Sequence, residues 1–264
     1  MIDFSVRFGF FAIILVCLIG WQWWQPRSAL LLWRKRWPHN LFLLVLGAIC
    51  VRLIQPLLLS FIALLGNDVG LFSQLSWPTW LTILFSIVCL DCLIYWQHRL
   101  FHRIPWLWRI HRVHHSDPEL DVSSAVRFHP IEIILSLVIK ATAIYLLGIP
   151  VIAVLLFDIL LNASAMFNHT NARLPHPLES IVRRVLVTPD MHRIHHSRRD
   201  IEANRNFGFF LSIWDGIFAT KCQQALGGDA AIRIGLPNTK TYQPNSFKAL
   251  LIMPFKLVIR NKQK

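Results

Sequence analysis

The chain has few acidic residues, and it lacks several short motifs by which cofactor-binding proteins are recognised. Asp and Glu total 14, against 27 Lys and Arg. The cysteines number five and lie mostly in apolar runs, and we expect them to be reduced and structural. No H-E-x-x-H sequence occurs, which argues against a zinc protease. Haem-attachment and nucleotide-binding motifs are missing as well.

The excess of basic side chains gives a net charge of +13, which suits two kinds of anionic partner. One is nucleic acid and the other is the anionic face of a membrane. Hydrophobic residues make up 55% of the chain and the mean hydropathy is +0.48, which is too apolar for an ordinary soluble domain. We therefore expect a membrane partner and no nucleic acid.

Long apolar runs predict an all-α integral membrane bundle of about four spans, the last pair of runs forming a hairpin around Gly148. Each run is long enough to cross or nearly cross a hydrocarbon core of about 30 Å. Arg52 interrupts the second run, and a charge at that depth in a membrane is costly. The alternative that this run forms two shorter half-spans, with Arg52 near a membrane surface, therefore stays open. The first run lacks a basic leader and a cleavage site, so it is predicted to be an anchor. The runs are residues 4–24, 40–65, 79–96, 131–147 and 151–167.

The distribution of charged residues predicts the orientation in the membrane. Basic residues concentrate at 27–36 and 99–112, whereas the turn at 66–78 has a single charged residue, Asp68. By the positive-inside rule, the two basic loops are cytoplasmic and the N-terminus lies outside. We divide the chain into an N-terminal transmembrane region (1–78), a catalytic domain (79–220) and a basic tail (221–264). The end of this tail could lie on anionic lipid or be frayed.

Eight of the twelve histidines lie in three short clusters, which predict a metal site. Within each cluster the spacing is i, i+3 or i, i+4, which puts the imidazoles on one face of a helix. An imidazole offers one ring nitrogen to a metal while a hydrogen bond holds the other. Spacing alone leaves zinc, copper, nickel and iron open. The clusters are His98 and His102, then His111, His114 and His115, then His192, His195 and His196.

Two apolar runs carry a polar stripe that ends at a histidine. Asp91, Tyr95, His98 and His102 are spaced i, i+4, i+7, i+11, and Asp158, Asn162, Ala165 and His169 repeat that spacing. This pattern makes His169 the expected ninth ligand. The polar residues of each stripe, Asp91, Tyr95, Asp158 and Asn162, are expected to hydrogen-bond to the ligating imidazoles from behind. In the alternative, each Asp pairs with Arg52 or with a backbone group.

The remaining histidines are assigned smaller roles. His129 could be a ligand, but we expect it to support the ligands by a hydrogen bond. His39 and His176 look incidental.

The histidine clusters and their flanking residues resemble the fatty acid hydroxylase and sterol desaturase superfamily of integral membrane di-iron oxygenases. The resemblance runs from about Asp91 to about Thr220. The chain departs from the family pattern in Asp215-Gly-Ile-Phe-Ala-Thr220, where the family more often has Arg after the Asp and Gly before the Thr. The matching flanks are Tyr95, Arg127-x-His129-Pro130-x-Glu132, Thr188-Pro189, Asn206-Phe207-Gly208 and Trp214-Asp215.

The resemblance implies two iron ions, which zinc could replace in purified protein, and O2 as co-substrate. No catalytic side chain is expected beyond the metal ligands. The implied reaction is hydroxylation or desaturation of a C–H bond in a fatty acyl, sterol-like or other isoprenoid lipid. The alternative is a non-catalytic or zinc-binding membrane metalloprotein, or a metal transporter, whose histidines would line a path across the spans.

Electrons are expected to come from a separate donor, a ferredoxin or a cytochrome with its reductase, because the chain has no haem-attachment motif, nucleotide fingerprint or cysteine quartet. A basic face could dock this donor or hold lipid headgroups, or it could simply be positive-inside charge. Its residues are Arg99, Arg103, Arg109, Arg112, Arg183, Arg184, Arg198 and Arg199.

Overall fold

The computed structural model describes residues 2–65, 70–237 and 242–257. In these ranges the regular elements are α-helices and short 3-10 helices, joined by isolated β-bridges. Asp68 and the basic residues after Leu257 lie outside the described residues. The all-helical fold class predicted from the sequence is confirmed.

Five helices are long and apolar enough to cross a membrane. The sequence predicts about four spans, and the count is five because both arms of the final hairpin, 18 and 19 residues long, reach spanning length. The chain is an integral membrane protein. The helices are α1 (Ile2–Trp24), α2 (Trp33–Leu65), α3 (Thr79–Arg103), α5 (Pro130–Leu147) and α6 (Val151–His169).

The two ends of the bundle are distinguished by backbone contacts between loops. At one end the backbone N–H of Arg27, after α1, donates to the carbonyl of Asn171, after α6, at 3.0 Å. At the other end Gly70 packs on Gly148 so closely that a Cβ on Gly70 would lie 2.2 Å from the Gly148 Cα. Gly148 ends α5 in the left-handed conformation, with φ 66°, which glycine adopts without strain. The hairpin turn therefore lies opposite the end where α6 finishes at His169.

The outer surface of the bundle is apolar, as lipid contact requires. α1 packs on α6, α2 on α5 and α3 on α6, and a small core including Leu90, Ile94 and Phe157 fills the space between them. Large side chains such as Ile13 and Leu57 remain more than half exposed. Exposed tryptophans, which favour membrane interfaces, mark the helix ends. They include Trp23, Trp24 and Trp106 near the histidines and Trp77 and Trp80 at the other end.

Short helices build a cap at the histidine end. α4 and α8 both begin with proline, whose missing N–H costs nothing at a first helical position. The hydroxyl of Thr188 caps α8 by accepting the Met191 N–H at 3.4 Å. The helices are α4 (Pro105–His115), α7 (His176–Val182), α8 (Pro189–His195), α9 (Asp200–Ala203), α10 (Ile213–Ile217) and α11 (Phe247–Ile252).

The described part of the basic tail is packed on the protein, so this part is not frayed. Leu250 and Met253 are buried against Val113 of α4 and Leu43 of α2. The guanidinium of Arg112 donates to the carbonyls of Met253 and Lys256. Arg112 is fully buried by this contact, so it is not part of the basic surface to which the sequence assigned it.

Candidate metal centre

Four helices bring the clustered histidines to one place. His98 and His102 lie in the last two turns of α3, and His169 is the final residue of α6. The second and third clusters occupy the last turn of α4 and the turn that ends α8. All of these side chains are at most 3% exposed. The cluster thus sits at one edge of the bundle.

The nine histidines predicted as ligands fall into two groups, each able to hold a metal ion. The five-histidine group contains His98, His102, His111, His115 and His195. The four-histidine group contains His114, His169, His192 and His196. Within each group the ligand atoms lie within 4.8 Å of one another.

The chemistry of the donor set fits metal ions. Four Nε2 atoms of the five-histidine group are buried and have no hydrogen-bond partner among the described residues, namely those of His98, His111, His115 and His195. Buried polar atoms are nearly always satisfied, so four orphaned nitrogens that lie close together need a shared partner. In the four-histidine group, the Nε2 of His192 lies 2.9 Å from that of His169 and 3.1 Å from that of His196. Two nitrogens each about 2.1 Å from one ion, at a right angle, would be about 3 Å apart.

Burial favours the neutral form of five histidines in α4 and in the turn that ends α8. It lowers the pKa of His192 to about 3, and it holds the pKa values of His114, His115, His195 and His196 well below the usual range. A neutral imidazole has a free lone pair at pH 7, which metal binding requires.

Hydrogen bonds behind the cluster fix the orientation of four rings. The Nδ1–H groups of His98 and His195 donate to the carbonyls of Phe207 and Arg205, each at 2.8 Å. Because a carbonyl only accepts, each Nε2 is left unprotonated and free to bind. His169 Nδ1 lies 2.8 Å from the Ser124 hydroxyl, and His111 Nδ1 lies 2.7 Å from the Glu132 carboxylate. Neither Ser124 nor Glu132 was predicted as a site residue. The sequence held a signal for Glu132 alone, which lies in the matching flank Arg127-x-His129-Pro130-x-Glu132.

Asp91 does not reach an imidazole in this structure; its carboxylate holds a backbone segment. It accepts the N–H groups of Phe210 at 3.4 Å and Leu211 at 3.1 Å, and the Trp214 Nε1–H at 2.8 Å. This arrangement agrees with the alternative from the sequence, in which Asp91 pairs with a backbone group. Asp91 thereby anchors the segment that follows Phe207, whose carbonyl orients His98. Asp91 thus acts on the histidine cluster indirectly.

Tyr95 also reaches that segment indirectly. Its hydroxyl lies 2.8 Å from the hydroxyl of Thr220, which donates to Asp215 at 2.6 Å. Asp215 accepts the N–H groups of Phe207 at 2.8 Å and Gly208 at 2.9 Å. In the sequence, Asp215 appeared only in the matching flank Trp214-Asp215. In the structure, its hydrogen bonds hold the Phe207 loop in place.

The other supporting residues predicted from the stripes have different partners from those expected. Asp158 forms ion pairs with Arg7 of α1 and, at 3.0 Å, with Lys140 of α5. The Asn162 amide donates to the Asp158 carbonyl one turn back, at 2.7 Å. Both therefore serve helix packing and local structure, because their face of α6 meets α1 and α5.

His129 lies outside both histidine groups. Its Nδ1 caps α5 by accepting the Ile131 N–H at 3.2 Å, and its Nε2 lies 3.2 Å from the Leu251 carbonyl.

A buried charge network lies beside the cluster. Arg36 is fully buried and donates to Asp117 and, at 2.7 Å, to Asp121. Burial alone would raise the pKa of Asp117, but the charges of Arg36 and Arg127 outweigh burial and hold it below the usual range. Asp121 caps the 3-10 helix Val122–Val126, which carries Ser124. The network thus connects α2 to the residue that orients His169.

Comparison with known proteins shows the family. The family profile described as fatty acid hydroxylase matches residues 83–220, just over half of the chain. The chain belongs to the fatty acid hydroxylase family. The match includes all nine clustered histidines, Glu132, Asp215 and the loop at Phe207. No solved structure gives a significant match.

Curated relatives within this family are about a third identical to the chain over the aligned residues. The ornithine lipid hydroxylase OlsE of Rhizobium tropici is 33% identical over 146 residues, covering 55% of this chain and 43% of that protein. The alkylglycerol monooxygenase of Homo sapiens is 31% identical over 152 residues, covering 56% of this chain and 32% of that protein. That of Danio rerio is 31% identical over 151 residues. The chain spans less than half the length of these relatives.

Proposed function

We propose that this family member is a membrane-bound di-iron oxygenase that uses O2 and external electrons to hydroxylate or desaturate a membrane lipid. The observation that carries the proposal is the set of buried imidazole nitrogens without partners, gathered into two groups. When bound, iron would activate O2 toward an unactivated C–H bond. The names of the relatives, a lipid hydroxylase and an alkylglycerol monooxygenase, support a lipid with a hydrocarbon chain as substrate.

The chain's own residues would hold the metals and keep water away from them. Aromatic rings surround the five-histidine group, with Phe207 5.2 Å and Trp108 5.0 Å from His102 between ring centroids. Phe128 stacks on His114 at 4.3 Å. These rings surround the clustered histidines with apolar surface, which excludes water and restricts the movement of the imidazoles. In a dry site the ligand geometry is preorganised, so little reorganisation is needed during reaction.

An apolar cavity beside the cluster supports a hydrocarbon substrate. Its volume is about 330 Å³, within the usual range of ligand sites. It lies between α1 and α6 and is bounded by Val187 and Phe210. Phe210 follows Phe209, whose ring is 5.0 Å from that of His98. We propose that the cavity lets lipid chains approach the histidine end of the bundle from the bilayer.

We propose that the histidine groups face the cytoplasm and receive electrons from a ferredoxin or a cytochrome with its reductase. The basic loops flanking the cluster support this orientation through the positive-inside rule. A metal transporter is disfavoured because the nine histidines stand together at one end of the bundle. In a transporter they would be distributed along a path through it.

The proposed reaction is tested by expressing the chain in cells that lack it and comparing their lipids by mass spectrometry. We expect a lipid product that gains an oxygen atom from isotopically labelled O2, or one that loses two hydrogens. His102→Ala should abolish the product, since His102 belongs to the five-histidine group. An unchanged lipid profile in cells whose protein carries iron and receives a reductase would contradict the oxygenase and favour the non-catalytic metalloprotein.

The orientation is tested by cysteine labelling with a membrane-impermeant maleimide. Leu71 and Ile201 are 51% and 63% exposed and lie at opposite ends of the bundle. We expect Leu71→Cys to be labelled from outside intact cells and Ile201→Cys to be labelled only after permeabilisation. The parent chain controls for its five native cysteines. The opposite pattern would place the histidines outside.

A further inference from the structure

Glu132 is a buried carboxylate in direct contact with one of the clustered imidazoles. It lies in the first turn of α5 and is 5% exposed. Its Oε1 accepts the Nδ1–H of His111 at 2.7 Å, while its Oε2 has no hydrogen-bond partner among the described residues. The Nε2 of the same imidazole is one of the orphaned nitrogens of the five-histidine group. One ring thus joins Glu132 to the proposed metal.

This contact differs in kind from the other hydrogen bonds that orient the histidines. His98 and His195 donate to backbone carbonyls, and His169 pairs with the Ser124 hydroxyl. These acceptors are neutral. Among the described residues, Glu132 is the only carboxylate within 4 Å of a clustered imidazole nitrogen. Within the described part of the chain, it therefore supplies the one negative charge placed directly behind a clustered imidazole.

The energetic effect of such a carboxylate has opposite signs in the two states of the protein. Without metal, burying a carboxylate with one unsatisfied oxygen is unfavourable, although the N-terminus of α5 offsets part of the cost. With a dication among neutral imidazoles, the same charge is attractive and makes the ligand ring more basic. The chain keeps a group that is costly in the metal-free protein and favourable in the loaded one.

We infer that Glu132 is a positioning residue of the metal centre. It holds His111 with Nε2 facing the five-histidine group, and its charge raises the affinity of that group for a divalent metal ion. The inference rests on the proposed metal centre, and it adds the residue that tunes one of the two groups.

Two substitutions separate the hydrogen bond from the charge. Glu132→Gln keeps the size and an accepting oxygen but removes the charge, whereas Glu132→Leu removes both. Glu179→Gln is the matched control. Glu179 is 6% exposed, its Oε1 accepts the Thr188 hydroxyl at 2.7 Å, and its Oε2 likewise has no partner among the described residues. It has no hydrogen bond to an imidazole among the described residues.

The measurement is the binding of ferrous iron to the full chain in detergent, under anaerobic conditions, in competition with a coloured chelator. We expect affinity to fall about 10-fold in Glu132→Gln and about 100-fold in Glu132→Leu, the range found for partners behind metal ligands. Glu179→Gln should bind as the parent does. The melting temperature of metal-free Glu132→Gln should equal or exceed that of the parent, so the rise on adding iron becomes smaller.

The outcomes distinguish this inference from the metal centre itself. If Glu132→Gln binds iron with the parent's affinity and shows the same thermal shift, Glu132 is only structural and the inference is overturned. If the parent binds no metal, the proposed centre fails and the inference fails with it. If Glu132→Leu does not fold, the comparison of Glu132→Gln with Glu179→Gln still decides.

Discussion

Replacing His192 with alanine is expected to empty the four-histidine group and abolish activity on lipid. His192 is the centre of that group, because its Nε2 is close to those of both His169 and His196. Protein purified anaerobically should carry two irons, one for each group. The variant should retain one or none, and its activity should fall by more than the ~100-fold typical of losing a partner behind a ligand. Elemental analysis and lipid turnover measure the two effects.

His176→Ala is the control for this experiment. His176 is exposed at the start of α7 and belongs to neither histidine group. Its replacement should leave both irons and the activity in place. A parent protein with a single ion, or a His192→Ala variant with unchanged metal content, would rule out two ions held by separate groups.

Replacing Arg36 with methionine is expected to destabilise the fold by about 3–5 kcal/mol, the usual cost of breaking a buried ion pair by removing one partner. The side chain of Arg36 is fully buried and donates to Asp117 and Asp121, which are also buried. Without it, both carboxylates remain in the interior with too few partners. Asp121 caps the helix of Ser124, so iron binding should weaken together with stability.

Unfolding by denaturant in detergent micelles measures the stability of this variant. Arg34→Met is the matched control, since Arg34 lies on the same helix two residues away, is exposed and contacts the ring of Trp33. It should unfold at nearly the parent's denaturant concentration. Equal stability of the two variants would show that the Arg36 network contributes little to the fold.

Local spacing in the sequence was sufficient to predict the membrane helices and the nine gathered histidines. A run of apolar residues of spanning length defines a helix without reference to other parts of the chain. Similarly, i, i+3 and i, i+4 spacing places imidazoles on one face, because it depends only on helix geometry. His169 was predicted from such a stripe, and the structure places it in the four-histidine group.

The same stripes gave the wrong partners for Asp91 and Asp158, since spacing fixes a face but not what that face meets. Asp91 meets a loop that is 119 to 123 residues further along the chain. Asp158 meets Arg7, 151 residues earlier. Both helix faces are polar as predicted, and only the packing of α3 on the Phe207 loop and of α6 on α1 determined their contacts.

The sequence by itself determined which side chains are available as ligands and that they lie at the end of a membrane bundle. The tertiary structure alone decided how the nine divide into five and four, and which groups stand behind them. His98 depends on a carbonyl 109 residues away and His169 on a hydroxyl 45 residues away. Hydrogen bonds of this kind form between elements that meet only after packing. They require an oxygen within about 3 Å, and any residue can supply a backbone carbonyl, so no residue type marks them in advance.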